Sequence, residues 1–136
     1  MSLASYIGTN VKIPLSVEDA DSLIIIGDCF SDESEKQEVQ ETQFMTPFVY
    51  EVSSDWGIEI TEYMNEKMRA ESKAKLIVLC EMMDNYIEKG DFFELYSCWM
   101  GDESDKREGE ITLQMNDFDV ERIRLPEKTL IRFEKS

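Results

Sequence analysis

The feature that most constrains this fold is the periodic apolar pattern of residues 72–89, "SKAKLIVLCEMMDNYIEK". Apolar side chains recur there at a spacing of three and four, which lines one face of an α-helix: Leu76, Leu79, Cys80, Met83 and Ile87. Gly90 stands where a helix end favours a residue that tolerates positive φ. We therefore predict a helix over 72–89 that ends at Gly90, with Ser72 as its N-cap or with an earlier start near Thr61.

Shorter segments on both sides of this helix have strand patterns. "FVYEV" (48–52) and "EITLQM" (110–115) alternate apolar and polar residues, as a strand with one solvated face requires. "LIIIG" (23–27) is apolar throughout and predicts a central strand, and further strands are predicted over 6–13, 92–100 and 129–134. Hairpin-length connections separate the later strands. This order predicts a single α+β domain over residues 1–136, an antiparallel or mixed sheet packed against one long amphipathic helix.

The charge of the chain restricts its partners. Among 136 residues, 30 are acidic and 14 are basic, which gives a net charge of −16. Such a charge repels nucleic acid and anionic membranes and attracts basic protein surfaces, although it also serves simply to keep a protein soluble. Residues 1–60 hold 12 acids and 2 bases, whereas residues 122–136 hold five bases and two acids. The C-terminal tail would neutralise part of the acidic half if it lay beside it.

The sequence contains no histidine, which excludes the Ser/His/Asp and Cys/His nucleophile systems and histidine-containing zinc sites. Its acidic runs do not follow the calcium-loop spacing: counted from Asp102, the fifth and sixth positions are Lys106 and Arg107. The glycines form neither a P-loop nor a dinucleotide-binding pattern. We therefore predict no catalytic residue, no metal site and no cofactor.

The cysteines indicate a reducing compartment. Cys29, Cys80 and Cys98 are odd in number and widely spaced, unlike a secreted disulfide framework, and we expect reduced core thiols. No segment has the roughly 18 uninterrupted apolar residues of a membrane-spanning helix, and no basic region precedes an apolar stretch at the N-terminus. We expect a cytoplasmic protein.

Two stretches are candidates for binding. Residues 27–43, "GDCFSDESEKQEVQETQ", are predicted to form either a weakly anchored, exposed helix or a long loop, with Val39 and Phe44 as the available apolar anchors. Trp56 follows a predicted strand between Asp55 and Gly57. It is either an exposed apolar anchor for a partner or a side chain that folds back over the sheet edge.

The favoured hypothesis is a non-catalytic acidic protein that captures and occludes a basic protein partner, similar in size and charge to immunity proteins and other toxin inhibitors. The predicted contact residues are Asp28, Asp32, Glu33, Glu35, Asp55 and Trp56. The alternative is a small carboxylate-based, divalent-metal-dependent enzyme or ligand-binding domain, in which acidic residues converge in a pocket. A self-associating subunit, a homo-oligomer, is a third hypothesis.

Overall fold

Within residues 3–14, 25–26, 33–53, 58–61, 63–99, 102, 104–115, 117–119 and 121–135, the computed structural model contains two helices and six strands. The helices are α1 (Glu33–Gln43) and α2 (Glu66–Asp84). The strands are β1 (Leu3–Thr9), β2 (Ile25–Ile26), β3 (Phe48–Ser53), β4 (Phe92–Trp99), β5 (Gly109–Gln114) and β6 (Thr129–Glu134). The six segments predicted as strands therefore all contain one: the prediction 129–134 coincides with β6, and the other five have shifted ends.

The strands form one sheet in the order β2-β3-β1-β4-β6-β5. Neighbouring strands are antiparallel except for β5 and β6, which are parallel. The longest pairing joins β1 to β4 over seven residue pairs, from Leu3 opposite Trp99 to Thr9 opposite Phe93. The predicted class is confirmed: this is an α+β domain with a mixed sheet and one long helix, α2, packed against it.

Strand β1 lies in the middle of the sheet, and all seven of its residues are buried. Successive side chains of a strand point to opposite faces of the sheet. Ile7 belongs to the apolar cluster beneath α2, whereas Ala4 and Tyr6 belong to a second cluster with Val39 of α1. The two helices thus cover opposite faces, which explains why β1 has no solvated side.

The α2 face of the sheet carries the larger part of the core. Leu76, Leu79 and Met83 are fully buried there, as their spacing predicts. Full burial of each such side chain contributes about 1.5–3 kcal/mol. The rings of Phe93 and Phe133 stack beneath the helix with centroids 5.0 Å apart. The cluster also contains strand residues from the centre of the sheet, among them Ile7, Leu95 and Ile131.

The predicted ends of α2 were wrong. Its N-cap is Asn65, whose side-chain oxygen accepts a hydrogen bond of 2.8 Å from the Met68 amide, and neither Thr61 nor Ser72 caps it. Asn caps as well as Ser or Thr, because each offers a short side-chain oxygen to the unpaired amides of the first turn. Ser72 is instead a buried residue inside the helix.

At its C-terminal end α2 stops at Asp84, with Asn85 as the C-cap. The ammonium of Lys135 donates to the carbonyl oxygens of Asp84 and Ile87, both at 2.9 Å, and thereby satisfies acceptors that a longer helix would have bonded internally. Gly90 does have a positive φ of 90°, but it serves the turn into β4, where its amide donates to the Lys135 carbonyl at 2.7 Å.

Two predictions about the sheet need correction. The apolar run 23–27 predicted a central strand, yet β2 is at one end of the sheet, paired with β3 through Ile25 and Ile26. Ile26 is nevertheless 2% exposed because it packs into the core beneath α2. The apolar run therefore indicated that the strand is buried, but not where it lies in the sheet order. The predicted hairpin-length connection between β5 and β6 is also wrong: parallel strands require a crossover, and residues 115–128 supply it.

The basic tail pairs with acidic residues from the second half of the chain. Arg132 contacts Glu94 at 3.2 Å, Lys128 contacts Asp105 at 3.0 Å, and Lys135 contacts Asp84 at 3.0 Å. These pairs follow from the position of β6 between β4 and β5, because β4, the β4–β5 connection and the C-terminal end of α2 carry the partners. They do not support the expectation that the tail offsets the acidic residues 1–60.

Candidate functional site

The structure locates two of the six predicted contact residues. Glu33 and Glu35 are the first and third residues of α1. Asp28, Asp32, Asp55 and Trp56 lie outside the described residues, as does Cys29. The other two cysteines, Cys80 and Cys98, are buried, as predicted.

Helix α1 resolves one of the open alternatives for residues 27–43. The described part, Glu33–Gln43, is helical, so the loop alternative is wrong there, while residues 27–32 lie outside the described residues. Both predicted anchors are buried, Val39 fully and Phe44 to 6% exposure, in the cluster with Tyr6 and Tyr96. Gln43 is buried as well, whereas residues 34, 37, 38, 41 and 42 are exposed.

The outward side of α1 is polar and acidic. The Gln37 amide donates to the Glu41 carboxylate at 3.1 Å, one helical turn away. Glu38 is exposed and has no ion pair within the described residues. The exposed side chains of the helix are Ser34, Gln37, Glu38, Glu41 and Thr42.

Met45, two residues after α1, is the most exposed large apolar side chain in the described part of the chain, at 98%. Its neighbours Phe44 and Thr46 are each 6% exposed, because both pack over Gly8 of β1. A Cβ atom at Gly8 would come within 2.5 Å of Phe44 Cδ1 and of Thr46 Oγ1. The missing side chain at Gly8 thus lets residues 44 and 46 point inward and leaves residue 45 pointing outward.

Two grooves flank Met45. The first, of about 670 Å³, runs between α1 and β3 and is lined by Gln37, Gln40, Glu41, Phe44, Met45, Thr46 and Val49. The second, of about 290 Å³, lies over β4, β5 and β6 and is lined by Gln43, Met45, Glu94, Arg107, Glu110, Ile111, Thr112, Leu130 and Arg132. We call Met45, these two grooves and the exposed side of α1 the Met45 surface.

Gln43 and Arg107 hold the second groove together. The guanidinium of Arg107 donates to the Gln43 backbone carbonyl at 2.7 Å and to its side-chain oxygen at 3.2 Å, and a further bond of 2.7 Å reaches Glu110. The Gln43 amide nitrogen donates to the Asp105 carbonyl at 2.6 Å. The end of α1 is thereby fixed to the connection between β4 and β5.

An ion pair between the buried Glu94 and the half-exposed Arg132 lines the same groove. Glu94 is 3% exposed, and one of its oxygens accepts from Arg132 Nε at 3.3 Å and from Nη2 at 3.2 Å. The guanidinium of Arg132 also lies 4.1 Å from the centroid of the Phe92 ring. The buried carboxylate is therefore compensated, and both arginines of the groove are already engaged by the protein's own acids.

The acidic and cysteine side chains were compared with the requirements of a metal site and of a thiol nucleophile. Among the described residues, no three acidic or cysteine side chains converge as a metal site would require. Burial and the neighbouring Glu81 raise the pKa of the Cys80 thiol to about 12, so it is not a nucleophile near neutral pH. An exposed apolar side chain between grooves, next to an acidic helix, is suited to contact with another molecule.

Sequence reasoning missed Met45 and the contact between Gln43 and Arg107. Met45 points outward because Phe44 and Thr46 pack over Gly8. The local sequence around Met45 gives no sign of that packing, because Gly8 is distant in the chain. Gln43 and Arg107 are 64 residues apart, and only the fold brings them together.

No helix in the described part of the chain is both long and apolar enough to cross a membrane. No protein-family model matches this chain, and neither the curated proteins nor the solved structures include a significant match to it.

Proposed function

We propose that this protein is a non-catalytic binding protein that captures a basic protein partner on the Met45 surface. The observation that carries the proposal is the 98% exposure of Met45 in a groove that Glu41 also lines, with Glu38 exposed on the same helix. Apolar side chains in the centre of an interface supply much of the binding energy, while charges around them increase the rate of association.

The net charge of −16 supports a basic partner and argues against nucleic acid. Within the Met45 surface, the arginines are paired with Glu94 and Glu110, which leaves the carboxylates of α1 to set the outward charge. Lysine and arginine side chains of a partner would meet these carboxylates while an apolar side chain of the partner contacts Met45. The partner would be inhibited because its basic surface is covered.

The predicted contact residues belong to the same proposal. Glu33 and Glu35 belong to α1 itself, and Asp28, Asp32, Asp55 and Trp56 remain proposed contacts. A toxin inhibitor of the immunity type, acting in the cytoplasm, is the form of this function that we favour, because such inhibitors are small, acidic and act by occlusion.

Differential capture tests the proposal. The wild-type protein and a Met45→Lys, Glu38→Gln, Glu41→Gln variant are immobilised in parallel and exposed to the same cell extract at low salt. We expect the wild type to retain a basic protein that the variant releases, and the complex to dissociate as salt screens the charges.

A matched control removes the same kinds of group from the opposite side of the molecule. Met68, Glu71 and Glu81 are exposed residues of α2. A triple variant that combines Met68→Lys, Glu71→Gln and Glu81→Gln changes the net charge by the same amount as the variant of the Met45 surface. Equal retention by the wild type and both variants would contradict the proposal, as would the absence of any captured basic protein.

A further inference from the structure

A basic groove lies on the α2 side of the sheet, away from the Met45 surface. It has a volume of about 300 Å³ and is lined by Ile60, Thr61, Arg69, Lys73, Glu121, Arg122, Ile123 and Arg124. A second, open depression of about 550 Å³ continues it along α2 and shares Arg69, Lys73 and Glu121. Among the lining residues four are basic and one is acidic, although the chain as a whole has 14 bases and 30 acids.

The walls of this groove are fixed by the fold. Ile60 and Leu125 exchange two backbone hydrogen bonds, of 3.1 and 2.8 Å, which hold residues 121–125 beside residue 60. The ammonium of Lys73 links the two walls by a hydrogen bond of 3.4 Å to the Glu121 carbonyl. Core packing of Leu76 and Leu79 anchors the helix that forms the other wall. The groove therefore exists before any ligand binds.

Its positive charge is only partly offset. The carboxylate of Glu121 lies 3.6 Å from Lys73 Nζ but is 82% exposed, and the contact of 3.5 Å between Arg122 and Asp119 is also at the surface. The Arg69 guanidinium makes no hydrogen bond or ion pair within the described part of the chain. Arg69 and Lys73 are four residues apart in α2, so their side chains share one side of the helix.

We propose that this groove binds a small phosphorylated molecule, with its phosphate oxygens on Arg69 and Lys73 and its apolar part against Ile123. Guanidinium groups match phosphate oxygens with paired donors, and an ammonium adds a compact charge. A long polyanion would meet the repulsion of the net charge of −16 over its whole length, whereas a compact anion confined to 300 Å³ meets it least.

Titration with sodium pyrophosphate, followed by amide NMR at constant ionic strength, tests this proposal. We expect saturable shifts at Thr61, Arg69, Lys73 and Arg124, and none at Glu38 on the opposite face. The Arg69→Gln variant should bind about tenfold more weakly, which corresponds to about 1.4 kcal/mol, because it loses a charge-assisted hydrogen bond to the phosphate. Since Arg69 has no described partner, its replacement should leave the melting temperature of the free protein unchanged.

Lys67→Gln is the matched control, because Lys67 is exposed on the same helix, carries the same charge and does not line the groove. It should bind pyrophosphate like the wild type. Equal weakening in the two variants, or shifts that never saturate in the wild type, would overturn the proposal.

A second titration with adenosine diphosphate separates an organic ligand from inorganic phosphate. Tighter binding than pyrophosphate is expected, because Ile123 offers an apolar contact. Equal affinity would overturn the apolar part of the proposal and leave an inorganic phosphate site. These outcomes do not depend on whether the Met45 surface binds a protein partner, because that surface lies on the other face of the sheet.

Discussion

Arg107 binds Gln43 twice, through the backbone carbonyl at 2.7 Å and the side-chain oxygen at 3.2 Å, across 64 residues of sequence. This contact fixes the end of α1 to the β4–β5 connection. Gln43 is 2% exposed, so its side chain is held among protein groups. The position of α1, and with it the Met45 surface, therefore depends on Arg107.

The Arg107→Ala variant should lose about 1–3 kcal/mol of unfolding free energy, the usual cost of leaving a buried polar group unsatisfied. Urea unfolding measures the loss, and amide exchange in α1 should become faster while exchange in α2 does not. Arg122→Ala is the control: its side chain is 89% exposed, and the change should stay within about 0.5 kcal/mol. Equal losses in both variants would show that the Gln43 contact contributes little.

Gly8 provides the second prediction, because Phe44 and Thr46 occupy the space of its missing side chain. Gly8→Ala places a Cβ atom 2.5 Å from each of them and should cost about 1–3 kcal/mol, as overpacking does. Gly109→Ala is the matched control, since its Cβ would lie 3.7 Å from Thr129, an ordinary contact distance.

Thermal unfolding of both glycine variants compares these costs. The Gly8 variant should also shift the amide resonances of residues 44–46. A Gly8→Ala protein as stable as the Gly109→Ala protein would contradict the account of why Met45 points outward.

Tyr96 is fully buried, and its hydroxyl has no hydrogen-bond partner among the described residues. Burial is also the main reason that the pKa of Tyr96 is raised. Tyr96→Phe should therefore be neutral or stabilising, since it removes an unsatisfied polar group. The Tyr50 hydroxyl, by contrast, accepts a hydrogen bond of 3.0 Å from the Ile13 amide, and Tyr50→Phe should cost about 1 kcal/mol. Urea unfolding of the two variants gives the comparison, and a larger loss for Tyr96→Phe would refute it.

Glu59 gives a pH-dependent prediction. Burial raises the pKa of its carboxyl group, and the nearby charge of Glu127 raises it further. The folded state therefore binds this proton more tightly than the unfolded chain does, so its contribution to stability falls as pH rises from the unfolded pKa through the raised folded pKa. Glu59→Gln cannot ionise, and the variant should gain stability relative to the wild type at neutral pH.

The gain should disappear below the ordinary carboxyl pKa, at about pH 4. Urea unfolding at the two pH values measures it, with Glu88→Gln at an exposed position as the control for lost net charge. A stability difference between wild type and the Glu59 variant that does not change with pH would contradict this assignment.

The spacing of apolar residues predicted the helices and strands, because it indicates which side of each helix or strand is buried. The spacing of Leu76, Leu79 and Met83 gave the buried face of α2, and the alternation of residues 110–115 gave β5, whose residues alternate between half-buried and exposed. Sheet order depends on contacts between distant segments, which explains why β2 was expected in the centre and why the parallel pairing of β5 with β6 was not foreseen.

The candidate site was harder to predict for the same reason. An acidic composition directed attention to residues 27–43, and within α1 the carboxylates of Glu38 and Glu41 are exposed. Met45 is exposed because its neighbours pack over Gly8. The second groove is formed in part by Arg107 and Arg132, which are distant in sequence from α1. The basic groove likewise joins residues 69–73 to residues 121–124 and has no local pattern.

The central claim is that the carboxylates of α1 attract a basic partner to the Met45 surface. The most direct test measures the association rate of the captured partner with three proteins across a series of salt concentrations. These are the wild type, an α1 double variant that combines Glu38→Gln with Glu41→Gln, and a control double variant that combines Glu71→Gln with Glu81→Gln. We predict that the α1 variant associates more slowly at low salt and depends less on salt than the other two proteins. Identical rates and salt dependence for the α1 variant and the control would contradict the account.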